Sequence, residues 1–201
     1  MSILEKAVAE GAKFLSEHEA KQLLAEHGIP VTPDRLVTDV DGAVPAAEKI
    51  GYPVVLKGCG RTLLHKTEMD LVKVRLDDAE AVRAAAEDLF SRLPAEADGL
   101  LVSPMLDTRR EFIAGVTQDT QFGPVVAFGL GGIFTETLKD VAFRVAPFDR
   151  EDAMDLIHDV YARKLMGVVR GLPAIDKESM AALLSKLSHL AAAQAAIDEI
   201  D

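Results

Sequence analysis

The sequence predicts an α+β protein built in two successive parts, and three observations carry that prediction. The first hundred residues alternate helix-type segments with short apolar runs, as a small α/β or α+β layer does. After Leu106 the character shifts, and three strand-type runs follow one another with little helix between them. From Asp149 onward the sequence is mostly helix-forming again. The parts divide at about residue 106, giving 1–106 as a smaller unit with an N-terminal helix and 107–201 as a second unit.

Residues 14–28 read as a helix. Ser16 and Glu19 have the spacing of a reciprocal cap, and Gly28 can adopt the left-handed conformation that ends it. A short strand is expected near Leu36-Val37. Asp41 can cap a helix to Ile50, with Pro45 near its first turn and Gly51 ending it. Pro53 to Lys57 is a buried-type strand, and residues 71–76 form a second across a glycine-bearing loop. Asp77 or Asp78 can cap a helix packing through Ala81, Ala84, Ala85 and Leu89. A turn over Pro94 to Asp98 leads into a buried strand from Gly99 that Pro104 stops.

In the second part, Glu111 to Val116, Pro124 to Leu130 and Val141 to Val145 read as strands. A helix runs from Asp149 or Asp152 to about Tyr161, and residues 164–175 form an irregular connection. Asp176 caps a last helix whose alanine-rich end, Ala191 to Ala196, continues it. Glu199 to Asp201 begin a further strand. His18 and His27 read as surface or helix-end histidines, and His189, on the last helix, as structural.

Composition narrows the function. A chain of 201 residues, 49% hydrophobic and 27% charged, is that of a soluble globular protein with a real core. A net charge of −11 argues against nucleic acid or an anionic membrane as partner. A single cysteine, Cys59, excludes an internal disulfide and a cysteine-rich zinc site. No stretch reads as a signal peptide or a bilayer span, so a cytoplasmic protein is expected.

Against this acidic background residues 53–75 stand out. Lys57, Arg61, Lys66, Lys73 and Arg75 are set there against only Glu68 and Asp70, a local positive island. Two strands, a glycine loop and a lysine at the strand end suit a polyphosphate, because backbone N–H groups and an ammonium can approach its oxygens. The residues alone also fit a hairpin with a solvated basic face. A second glycine run, Gly129-Leu-Gly131-Gly132, opens no helix and so is no dinucleotide fingerprint. Glu136, Lys139, Asp140 and Arg144 follow it as a mixed-charge cluster.

The ordered words VVLK, LHKTE, REFIAGVTQD, FGPVV, FGLGGIF and LKDVAFR resemble the nucleotide-grasping core of the ADP-forming acyl-CoA synthetases of the acetate–CoA ligase type. That family belongs to the ATP-grasp superfamily and is related to the succinyl-CoA synthetase β subunit. The resemblance runs from about Phe14 to the C-terminus. It implies an ATP-grasp fold of two α+β subdomains with a nucleotide cleft between them. It also implies ATP or ADP with magnesium as cofactors, and CoA-binding and ligase domains, or a subunit, as partners. Lys57 would bind phosphate oxygens, His65 would relay a phosphoryl group, and Arg144 would offset its charge. Met105, Glu111, Gly131 and Gly132 would line the nucleotide. The magnesium ligands are unknown, because the family's I-N-P-L continuation lies past Asp201 and the second unit reads as C-terminally incomplete. At Asp70 the family usually has glycine. A carboxylate there either points away from the phosphates or weakens nucleotide binding. Each of these residues also has a plainer reading. Lys57 could snorkel, His65 could only hydrogen-bond, Glu111 could pair with Arg109 or Arg110, and Arg144 could be a strand salt bridge. Two other functions fit the same superfamily: a non-catalytic nucleotide-sensing or interaction module, and a direct carboxylate–amine ligase that needs no histidine relay.

Overall fold

The computed structural model describes residues 1–63, 66–106, 110–132, 140–169 and 171–201. His65, Arg109, Glu136 and Lys139 lie outside the described residues. The chain divides into two compact units, Met1–Glu26 with Pro30–Asp107, and His27–Ile29 with Thr108–Asp201.

The first unit holds a four-stranded antiparallel sheet in the order β1-β4-β2-β3, formed by β1 (Arg35–Val37), β2 (Val54–Cys59), β3 (Val72–Leu76) and β4 (Gly99–Pro104). Its helices are α1 (Ile3–Ala9), α2 (Glu17–Glu26), α3 (Val40–Ile50) and α4 (Ala79–Arg92). Side chains alternate across a strand, so β2 presents Val54 and Leu56 to one face and Val55, Lys57 and Cys59 to the other. Val54 and Leu56 join Leu100, Val102, Val82, Ala86 and Leu89 in the core beneath α3 and α4. Val55, Cys59 and Leu101 are buried on the opposite face. A strand covered on both faces reads as a continuous apolar run, which is why Pro53 to Leu56 shows no alternation. Lys57 is the one charged side chain in β2, half-buried opposite Leu101.

Several boundaries differ from the sequence expectation. Asp39 caps α3, accepting from the Gly42 N–H at 2.8 Å, in place of Asp41. Pro45 therefore sits in the second turn. Asp78 caps α4, and its buried stripe is Val82, Ala85, Ala86 and Leu89, with Ala84 turned to solvent. That stripe has the i, i+3, i+4, i+7 spacing of a helix lying on a sheet. Helix α1 was not expected, although Ser2 and Glu5 form the same reciprocal cap as Ser16 and Glu19.

The second unit holds a four-stranded antiparallel sheet in the order β7-β6-β5-β8, formed by β5 (Phe112–Asp119), β6 (Gly123–Leu130), β7 (Val141–Val145) and β8 (Glu199–Ile200). Helices α5 (Arg150–Asp159) and α6 (Lys177–Ala193) pack on it through Ala153, Leu156 and Ile157, and through Ala181, Leu184 and Leu187. Helix α6 stops at Ala193, short of the alanine run's end. The Ile197 N–H turns back to the Gln194 carbonyl at 3.0 Å, and this turn buries Ile197 and lets Glu199–Ile200 pair with Val116 and Thr117.

Among the described residues no helix is long and apolar enough to cross a membrane.

Candidate functional site

In the first unit the expected positive island is met by acids from elsewhere in the chain. The Lys57 ammonium donates to Glu17 Oε1 at 2.9 Å, and Lys66 donates to Glu17 Oε2 at 2.5 Å. Lys21, one helical turn along α2, is 3.1 Å from the same carboxylate and also pairs with Asp34. Arg61 grips Glu19 with two N–H donors at 2.8 and 2.6 Å and reaches Glu10 at 2.8 Å. On the other side Lys73 pairs with Asp88 at 3.0 Å. The island of the sequence is therefore a largely compensated network, because the end of α1 brings Glu10 to it, α2 brings Glu17 and Glu19, and α4 brings Asp88.

Glu17 carries the strongest electrostatic signature of this network. Burial acts to raise its pKa, but the hydrogen bonds from Lys66 and Lys57 and their charges outweigh burial and hold the carboxyl at about 2. Glu19 is also held below its ordinary value, chiefly by Arg61. Burial, by contrast, pushes the Cys59 thiol up, so it is an inert core residue.

Asp70 has φ 53°, the left-handed region that favours glycine. Its carboxylate is 2.7 Å from Arg92, at the end of α4. The carboxylate is thus engaged by Arg92. Met105 lies one residue past β4, and its N–H donates to the Pro53 carbonyl at 3.0 Å, extending the β2–β4 ladder.

In the second unit Glu111, Gly131 and Gly132 come together. Gly131 N–H donates to the Glu111 carbonyl at 2.8 Å, closing the open end of the β5–β6 hairpin. A Cβ on Gly131 would stand 3.0–3.1 Å from the backbone of Glu111 and Phe112, so only glycine fits without a shift. Gly132 has φ 72°, and a Cβ there would lie 3.3 Å from the Glu111 carboxylate. The neighbouring Arg110 donates to the carbonyls of Leu165 at 2.7 Å and Gly167 at 3.0 Å, and to that of Pro173.

Arg144 is placed differently. It pairs across β7–β6 with Val126, whereas Phe112 pairs with Leu130 at the glycine end. At the usual strand rise this sets its Cα about 17 Å along the sheet from Gly131. Its guanidinium pairs with Asp152 and lies 3.9 Å from Asp159, both on α5. It also borders a shallow cavity of about 420 Å³ with Phe122, Val125 and Phe143. Among the described residues, no three His, Cys, Asp or Glu side chains gather as metal ligands.

Sequence reasoning missed Glu17 altogether and gave Glu19 only a capping role. The available signal was two acids in the first turn of the helix preceding a basic loop.

Comparison with known proteins agrees with the resemblance in the sequence. A family model described as an ATP-grasp domain matches residues 6–201. The chain is 38% identical over 195 residues to acetate–CoA ligase [ADP-forming] II subunit beta of Pyrococcus furiosus, covering 94% of this chain and 83% of that one. A Ca. Korarchaeum cryptofilum dinucleotide-forming acetyl-coenzyme A synthetase 1, solved with coenzyme A, Ca-AMPCP and HgCl+, superposes with a TM-score of 0.92 at 39% identity, covering 98% of this chain and 88% of that one. The same enzyme as a Se-Met derivative with coenzyme A and Mg-AMPPCP, its phosphohistidine segment pointing towards the nucleotide-binding site, gives 0.87 at 38% identity, covering 98% and 87%.

Proposed function

The chain belongs to the ATP-grasp domain family, and from that premise we propose that it is the nucleotide-binding subunit or domain of an ADP-forming acyl-CoA synthetase. The complete enzyme interconverts acyl-CoA, ADP and phosphate with carboxylate, ATP and CoA. CoA-binding and ligase domains, or a subunit carrying them, are its partners. The relatives support this reading, being a ligase β subunit and a synthetase crystallised with CoA and nucleotide analogues.

The observation that carries the reading is the convergence of Lys57 and Lys66 on one carboxylate. Lys57 is the half-buried charge on the face of β2 opposite α3 and α4, and Lys66 follows His65 directly in sequence. The lysines hold the Glu17 carboxyl at about 2 against its burial, which supports reading this place as one that favours an anion. Phosphate oxygens are anions of the same kind, and the ammonium groups of Lys57 and of Lys66, the residue after His65 in sequence, would draw a phosphoryl group there.

In this mechanism Lys57 binds phosphate oxygens of the nucleotide. His65 accepts a phosphoryl group on a ring nitrogen from the partner and delivers it to the terminal oxygen of ADP. The N–P bond breaks as the new P–O bond forms, and the imidazole is regenerated. Gly131 and Gly132 let backbone approach the nucleotide beside Glu111. Met105 contributes apolar contact, its N–H being committed to Pro53. Arg144 offsets charge from further along the sheet, and does so only on leaving Asp152. Magnesium, present with AMPPCP in the Korarchaeum enzyme, neutralises phosphate charge when bound. The described residues supply no cluster of three His, Cys, Asp or Glu ligands for it.

The test is labelled phosphate. With acyl-CoA and the partner present, label is trapped on this chain and then chased with ADP. His65→Ala abolishes both the trapped label and its transfer. Unchanged transfer to ADP in that variant would refute the relay.

A further inference from the structure

The mechanism above gives Glu17 and Glu19 no part, yet these two acids hold both sides of the loop that carries His65. Arg61 enters the loop and is gripped through two N–H donors by Glu19. Lys66 leaves it and is held by Glu17 at 2.5 Å. Glu17 also holds Lys57 on β2 through its other oxygen, so one carboxylate spans the phosphate lysine and the loop. Both acids lie in the first turn of α2, which the Ser16–Glu19 cap fixes. Charge-assisted bonds of this kind hold geometry more firmly than neutral ones. The side chains are largely shielded, with 23% of Glu17 and 17% of Lys66 exposed, so the bonds are not mere surface pairs.

We propose that Glu17 is a positioning residue for phosphoryl transfer: it braces the Lys66 end of the histidine loop against Lys57, while Glu19 braces the Arg61 end. This inference rests on the relay function assigned to His65. The brace acts on the loop's position and not on nucleotide affinity, because a misplacement of about 1 Å at the reacting group costs up to a hundredfold in rate. Removing Glu17 takes an anion away from Lys57, so nucleotide affinity holds or rises.

Glu17→Gln in the assembled enzyme tests this, since Gln keeps size and loses charge. Amide exchange supplies a readout independent of catalysis. The Leu71 N–H, bonded to the Lys66 carbonyl at 2.8 Å, exchanges about tenfold faster in Glu17→Gln. Transfer of label to ADP in a single turnover slows about tenfold, while the ADP dissociation constant stays within about threefold or falls. Lys66→Met, which cuts the brace from its other end, reproduces the faster exchange and carries the test if Glu17→Gln does not fold. Unchanged loop exchange in the variants overturns the brace. So does an equal loss of ADP affinity and transfer rate, which would place Glu17 in ground-state binding. His65→Ala separates the two ideas. Full transfer in that variant removes the relay function, while loop exchange still decides whether the brace exists.

Discussion

Acid weakens the first unit through Glu17, and the size of the effect follows from its surroundings. Burial disfavours the charged carboxyl, but Lys66 and Lys57 more than compensate and lower it from 4.5 to about 2. A carboxyl that ionises more readily in the folded state stabilises the fold above its unfolded value, and this stability drains away as pH falls from 4.5 towards 2. Linkage for such a shift amounts to about 2 kcal/mol lost between pH 5 and pH 3. Solvent reaches a side chain that is 23% exposed, and its screening leaves about 1 kcal/mol. The assay is urea unfolding of wild type and Glu17→Gln, followed by circular dichroism at pH 7, 5, 4 and 3. Other low-titrating carboxyls, Glu19, Asp88, Asp119 and Asp176, are shared by both proteins and cancel in the difference. The wild-type midpoint exceeds that of the variant at pH 7, and the gap narrows by roughly 0.3–1 M urea by pH 3. A gap that stays constant across this range would refute the electrostatic account of the network.

Two substitutions probe the proposed nucleotide site. Asp70→Gly relieves a left-handed residue, a gain of about 1 kcal/mol, and loses an exposed pair with Arg92 of similar or smaller size. Its melting temperature therefore moves by only a few degrees, and ADP affinity by calorimetry stays within about twofold. A tenfold gain in affinity would show that the carboxylate repels phosphate after all. Gly131→Ala drives a Cβ to 3.0–3.1 Å from the β5 backbone, costing about 1–3 kcal/mol of stability. ADP binding falls about tenfold with it, and normal binding would remove Gly131 from the site.

The fold was legible where local chemistry and tertiary context agree. The run Pro53 to Leu56 is apolar without alternation because β2 is covered on both faces, and this feature marks a central strand directly. Caps were legible in kind but not always in position. Asp39 and Asp41 are both competent caps before the same helix, and the choice depends on how Val37 pairs with Leu100 in β1–β4. The alanine run after Leu190 has high helix propensity throughout. The helix nevertheless ends at Ala193, because burying Ile197 and pairing Ile200 with Val116 outweigh a few tenths of a kcal/mol per residue. Helix α1 had a legible cap at Ser2 and Glu5 but is only seven residues long, below the length at which periodicity gives a signal.

The site was legible through its cations and illegible through its anions, and charge composition explains the asymmetry. With 33 acids against 22 bases, most acids have no necessary partner, so no single one announces a role. A lysine in an otherwise apolar strand is rarer and draws notice, although β2 runs two residues past Lys57, to Cys59, and not only to Lys57 as the sequence suggested. Glu19 shows the second reason: its Oε2 accepts from the Ser16 N–H and from Arg61 at once. The local bond accounts for the residue in the sequence and hides the bond to a residue far along the chain. Glu17 likewise has a local partner, Lys21 one turn along α2, and its distant partners Lys57 and Lys66 become neighbours only when α2 lies beside the face of β2 opposite α3 and α4. The electrostatic balance of the candidate site is thus a property of packing, set by which helix turn the sheet's second face receives. It follows that the basic loop, taken by itself, overstates the free positive charge offered to a nucleotide, since Glu17 and Glu19 already hold Lys57, Lys66 and Arg61.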